Sequence, residues 1–127
     1  MLNLIRDNKT LVIDDDRFVR DSMKAMFNNG SKNMYSAVTA EEALQMVNEN
    51  GYFLIFCDYK LPGMNGIEFF ARVQELDDKP ILILITGNWT QRIEHRAFSV
   101  GVDAIIEKPL SVSKIESALE GIMRKRE

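Results

Sequence analysis

The sequence predicts an α/β fold in which a parallel sheet carries helices on both faces. Strand and helix patterns alternate from one end of the chain to the other, with five strand–helix repeats. The run from Tyr52 to Cys57 is apolar without a break, the pattern of a strand covered on both sides. Four strand patterns also end in polar residues. Leu11-Val12-Ile13 runs into Asp14-Asp15-Asp16, and Tyr52 to Cys57 runs into Asp58. Ile81 to Ile85 runs into Thr86, and Ala104-Ile105-Ile106 runs into Glu107-Lys108-Pro109. At 127 residues the chain suits one domain, residues 1–127, whereas an eightfold barrel would need about twice that length.

The elements follow in order. After the first strand, Phe18, Val19, Ser22, Met23, Met26 and Phe27 share one helical face, with Asp16 as the helix cap. Asn28-Asn29-Gly30 stops that helix, and a modest second strand runs from about Met34 to Val38. Thr39-Ala40-Glu41-Glu42 reads as a capping box opening a helix that buries Ala43, Leu44 and Val47. Asn50-Gly51 ends it before the strand that leads to Asp58. Asn65 caps the next helix, which turns Ile67, Phe70 and Ala71 inward. A less apolar helix from Thr90 to Val100 follows the fourth strand. The last begins near Ser111 and buries Ile115, Ala118, Leu119 and Ile122.

Composition excludes several function classes. Sixteen basic against nineteen acidic residues give a net charge of −3, with no basic stripe to attract a nucleic-acid backbone. Arg124-Lys125-Arg126 is short and suits a helix carboxyl end. The apolar stretches are far below membrane-spanning length and the amino terminus lacks a hydrophobic signal segment, so neither membrane insertion nor export is expected. The single Cys57 sits inside an apolar strand as a packed thiol, and the absence of an internal disulfide agrees with a cytoplasmic setting. His95 falls in a polar helical pattern and reads as solvated or partner-facing. Trp89 either covers a helix edge or serves as a recognition anchor.

Parallel strands would bring the polar ends together at the carboxyl edge, where open α/β sheets bind ligands. Asp14, Asp15 and Asp58 would then be three carboxylates within a few ångströms, repelling one another. A hard divalent cation resolves that conflict, and an oxygen-only cluster with room for water suits Mg²⁺. Such a cation can also hold a phosphoryl oxygen while Asp58 attacks as nucleophile. Lys108 and the Thr86 hydroxyl would supply countercharge around the transferred group.

With these residues in this order the chain resembles the receiver domains of two-component response regulators, including the single-domain chemotaxis receivers. The resemblance covers nearly the whole chain. It rests on Asp14-Asp15, Asp58 with Leu61-Pro62-Gly63-Met64-Asn65-Gly66, Thr86-Gly87, Lys108-Pro109 and the spacing between them. It implies a flavodoxin-like, doubly wound sheet of strand order 2-1-3-4-5. Asp58 is then the phosphoacceptor, Mg²⁺ lies on Asp15, Asp58 and the Lys60 backbone carbonyl, and Asp14 acts largely through water. Thr86 becomes the switch hydroxyl and Lys108 the phosphate-pairing cation, before a cis bond to Pro109. The implied partners are a histidine kinase or phosphotransfer protein and a downstream protein target or fused effector domain, with a phosphorylation-dependent homodimer left open. Such a protein catalyses its own phosphorylation and dephosphorylation but is a cytoplasmic switch, not a metabolic enzyme.

Some positions depart from the family pattern. Ile105 stands where many receivers carry Tyr or Phe, Lys60 and Asn88 occupy positions that tune phosphate lifetime, and Val102-Asp103-Ala104 lacks the doubled acid of many dimerising regulators. Rival readings remain. An aspartyl-phosphate hydrolase would need a carboxylate where Lys60 stands. A nucleotide-binding flavodoxin-like protein would need a glycine-rich loop after the first strand. A degenerate receiver acting as a phosphorylation-independent interaction module would need site residues missing, and they are present.

Overall fold

A computed structural model describes residues 2–27 and 32–126. Five parallel strands form one sheet in the order β2-β1-β3-β4-β5. The strands are β1 (Thr10–Ile13), β2 (Met34–Ala37), β3 (Leu54–Asp58), β4 (Ile81–Thr86) and β5 (Ala104–Glu107). The helices are α1 (Leu2–Asp7), α2 (Arg17–Met26), α3 (Ala40–Glu49), α4 (Gly66–Val73), α5 (Gln91–Ser99) and α6 (Val112–Lys125). The expected α/β class and strand order are both observed.

Alternation along β3 and β4 divides the interior. Ile55, Cys57, Leu82 and Leu84 point to the layer shared with α3, α4 and α5. Leu54, Phe56, Ile81, Ile83 and Ile85 point to the layer shared with α1, α2 and α6. Every residue of β3 and β4 is buried, which is why the sequence reads as an unbroken apolar run rather than an alternating one. Each such buried aliphatic or aromatic side chain contributes about 1.5–3 kcal/mol.

Helix starts follow local side-chain chemistry. Asp16, Thr39, Asn65, Thr90 and Ser111 are N-caps whose side chains accept backbone N–H groups of the first turn. Asn65 and Glu68 complete a reciprocal capping box. At Thr39 the expected box is half formed: Glu42 Oε1 accepts from Val38 N–H at 2.8 Å, one residue outside the cap.

Four local expectations are revised. Phe18 is 76% exposed rather than inward. At 100° per residue it lies about 140° around the helix from Met23, the centre of the buried stripe. Ala71 is half-buried, while Phe69 joins Phe70 in the core because α4 packs against both the sheet and α3. The third strand begins at Leu54, two residues into the apolar run, and the second ends at Ala37, before Val38. The helix α1 was not anticipated: six residues are too few to show a period. Ile5 anchors it in the core, and Asn8 Nδ2 donates to Leu4 O at 2.9 Å near its end. The Asn28-Asn29-Gly30 stop lies outside the described residues.

Candidate functional site

Register builds the site. Ile13 pairs with Cys57, so Asp14 emerges beside Asp58, and Asp58 pairs with Ile85, one residue before Thr86. Thr86 pairs with Glu107, one residue before Lys108. The chain departs from β1 toward β2 on one side and from β3 toward β4 on the other. The carboxyl ends of β1 and β3 therefore border the crevice where such sheets bind ligands.

Asp14 is fully buried, Asp58 is buried and Asp15 is exposed at the rim. Ligand atoms of the three carboxylates lie within 4.8 Å of one another. Lys108 Nζ sits between the two buried acids, 3.2 Å from Asp14 Oδ2 and 3.3 Å from Asp58 Oδ2. Asp14 Oδ1 accepts from Asp16 N–H at 2.9 Å. Asp14 Oδ2 has no aligned hydrogen bond, and the ammonium 3.2 Å away is its compensating partner.

One ammonium between two buried carboxylates leaves net negative charge. Burial, then the Asp14 charge, push the Asp58 carboxyl up to about 6, against the pull of Lys108 and the Lys60 N–H. Burial likewise raises Asp14, opposed by the Asp16 N–H and Lys108. Burial alone would lower the Lys108 ammonium, but the Asp58 and Asp14 charges outweigh it and raise its pKa. Lys108 is therefore a cation at neutral pH, while Asp58 gives up its proton less readily than an ordinary carboxyl.

Two loops frame this edge. In the β3–α4 loop, Gly66 N–H donates to Tyr59 O at 2.9 Å. A Cβ on Gly66 would fall 2.5 Å from Asp58 O and 2.9 Å from Leu84 Cδ1, so only glycine fits. Lys60, just after Asp58, has an exposed side chain. In the β4–α5 loop the buried Thr86 hydroxyl donates to Asn88 O at 3.2 Å and accepts from Asn88 N–H at 3.1 Å. Trp89 N–H donates to Glu107 Oε2 and its indole Nε1–H to Glu94 Oε1, both at 3.0 Å. The indole bond holds Trp89 against α5, and the residue stays 40% exposed. His95 is exposed on α5. The Lys108–Pro109 bond is cis.

The structure brings Asp14, Asp15, Asp58 and Lys108 together, with Thr86 at the end of β4 and Lys60 on the β3–α4 loop. Sequence reasoning missed two supporting groups. Arg20 Nη1 donates to Asp14 O at 2.8 Å, and Glu107 ties down the Trp89 backbone. Spacing could have suggested Arg20, which lies on the first turns of the helix that Asp16 caps. Glu107 had no local signal, because its contact depends on where β4 and β5 end.

A family model described as "Response regulator receiver domain" matches residues 10–120. The transcriptional regulatory protein SrrA of Staphylococcus aureus is 30% identical over 119 residues, covering 93% of this chain and 48% of that protein. The chain thus spans about half the length of the curated relatives it matches. Three solved structures show the same fold. One is the receiver domain of the histidine kinase CKI1 from Arabidopsis thaliana, complexed with Mg²⁺ and BeF₃⁻ (TM-score 0.84, 19% identity, covering 97% of this chain and 94% of that one). Another is the Francisella response regulator 1452 receiver domain (TM-score 0.80, 23% identity, 93% and 98% covered). A third is the chemotaxis response regulator CheY4 of Vibrio cholerae (TM-score 0.79, 21% identity, 90% and 97% covered).

Proposed function

The chain belongs to the response regulator receiver domain family, and from that membership we propose that it is a phosphorelay switch whose phosphoacceptor is Asp58. The observation that carries this reading is the pairing of one lysine with two buried carboxylates, Asp14 and Asp58, beside the exposed Asp15.

The donor set fits Mg²⁺: all its atoms are oxygen, its charge is only partly balanced, and Asp14 Oδ2 is buried without an aligned hydrogen bond. Asp15, Asp58 and the Lys60 backbone carbonyl would hold the ion, with Asp14 in support. When bound, the ion offsets carboxylate charge and the charge on the transferred phosphoryl group.

The chain's own residues do the rest. Asp58, as the carboxylate, attacks phosphorus; a P–O bond to its side chain forms as the P–N bond to the donor's imidazole breaks. The imidazole nitrogen keeps the electron pair. Lys108, between Asp14 and Asp58, stays close enough to neutralise a phosphoryl oxygen. The Thr86 hydroxyl gives up Asn88 O for a phosphoryl oxygen, which releases the loop carrying Gly87, Asn88 and Trp89. Hydrolysis of the acyl phosphate resets the switch.

The donor is a phosphohistidine of a histidine kinase or phosphotransfer protein, or, more slowly, a small phosphodonor. The target is a downstream protein or a fused effector segment, in keeping with relatives about twice as long. Among the described residues no helix is long and apolar enough to cross a membrane. Acetyl phosphate with Mg²⁺ should add one phosphoryl group by intact mass and Asp58→Asn should add none. An undiminished adduct on that variant would overturn the assignment.

A further inference from the structure

Glu41 stands in the first turn of α3, away from the polar strand ends, and the sequence places it only within the capping-box pattern that opens the helix. In the fold its Oε2 accepts the Met64 N–H at 3.0 Å, tying α3 to the β3–α4 loop. Leu61-Pro62-Gly63-Met64 has the make-up of a type II turn, with proline second and Gly63 third at φ +74. In a closed turn the Met64 N–H would return to Leu61 O; here it goes to the carboxylate of another element. A Cβ on Gly63 would lie 2.9 Å from Glu41 Oε2, so the glycine that permits the turn also makes room for the tether. The Met64 N–H, with Glu41's own, holds this carboxyl below its ordinary value. The far end of the loop is fixed by the Asn65–Glu68 box and by Gly66 N–H on Tyr59 O. Leu61 holds the near end by its buried side chain.

We propose that Glu41 is a positioning residue that sets the backbone of the Lys60–Met64 loop, and thereby the placement of the Lys60 carbonyl, through the Met64 N–H. The inference rests on the reading of Lys60 as a Mg²⁺ ligand. An exposed hydrogen bond adds little to global stability. Groups that orient a ligand from outside the coordination sphere nonetheless change metal affinity by about tenfold or more.

The test compares wild type, Glu41→Gln and Glu41→Ala in three measurements: Mg²⁺ affinity by calorimetry, Met64 amide exchange by NMR, and thermal unfolding without metal. In Glu41→Ala the Met64 amide should exchange faster and Mg²⁺ should bind about tenfold more weakly, while the unfolding midpoint barely moves. Glu41→Gln keeps an acceptor oxygen and should rescue both exchange and affinity to within about twofold of wild type. Equal Mg²⁺ affinity in wild type and Glu41→Ala overturns the role of Glu41 and leaves the site intact. Failure of Glu41→Gln to rescue also overturns it, since the charge and not the hydrogen bond would then be acting. Wild type that binds no Mg²⁺ removes the underlying reading itself, and the proposal with it.

Discussion

Replacing Asp58 by Asn should make the metal-free protein more stable at neutral pH, although it removes the proposed phosphoacceptor. Burial and the Asp14 charge raise the Asp58 carboxyl from 3.8 to about 6. A group held above its unfolded value favours folding while protonated, and that advantage disappears as pH rises from about 4 through about 6. A shift of about two units corresponds to a ceiling of ~3 kcal/mol. Water at the open Asp15 side screens the charge, and Asn gives up the ion pair with Lys108. We therefore expect a net gain of about 1–2 kcal/mol, or roughly 3–6 °C in the unfolding midpoint. Urea and thermal denaturation in chelator, from pH 4 to pH 8, measure it. The two proteins should nearly coincide at pH 4 and separate through pH 6. Added Mg²⁺ should then stabilise wild type by about 1.4 kcal/mol at ten times its dissociation constant, with much less effect on Asp58→Asn. If Asp58→Asn is the less stable protein at pH 7 without metal, or if the gap does not change with pH, the charge-frustration argument is wrong.

Three further outcomes follow from the same geometry. Asp15→Ala should weaken Mg²⁺ by tenfold or more, about 1.4 kcal/mol; calorimetry showing equal affinity would place the metal elsewhere. Gly66→Ala should cost about 1–3 kcal/mol, because its Cβ would meet the Asp58 carbonyl 2.5 Å away, and urea midpoints will show it. On beryllofluoride binding, shifts should concentrate in residues 86–90 and α5, with little change at the buried Ile105, which is stiff at its first torsion. A large rotamer change at Ile105 that persists in Thr86→Ala, with α5 unmoved, would refute that route.

How much of this was legible in the sequence depended on the range of the interaction. The parallel sheet was readable because Leu54 to Cys57 and Ile81 to Ile85 are apolar on both alternating faces, which only a covered strand tolerates. The gathering of Asp14, Asp58, Thr86 and Lys108 at one edge was readable because each ends a strand or follows its last residue. Phe18 misled because it is apolar near the edge of a helical stripe, and its inclusion depended on where the stripe was centred. The tethers from Glu41 and Glu107 left no trace, since each joins segments whose separation in space is set by the finished fold, whereas Arg20 reaches Asp14 O over only six residues and was within range of local spacing. Helix α1 was too short for periodicity to reveal, and Ile5 earns its burial only once β1 and β2 exist.

Cys57 lies in β3, between β1 and β4, with its thiol fully buried and donating to Asp58 O at 3.3 Å. Burial, then the Asp58 and Asp14 charges, push the thiol pKa well up, so the reactive thiolate is suppressed as long as the strand is covered. An alkylating reagent can reach it only when the centre of the sheet opens. The molecule therefore carries its own clock, one residue from Asp58: labelling at Cys57 counts global opening events and ignores fraying at loops and ends. Whatever tightens the native state at the strand ends should slow that clock in proportion, so thiol chemistry at a residue outside the candidate site can weigh each ligand or modification offered to that site.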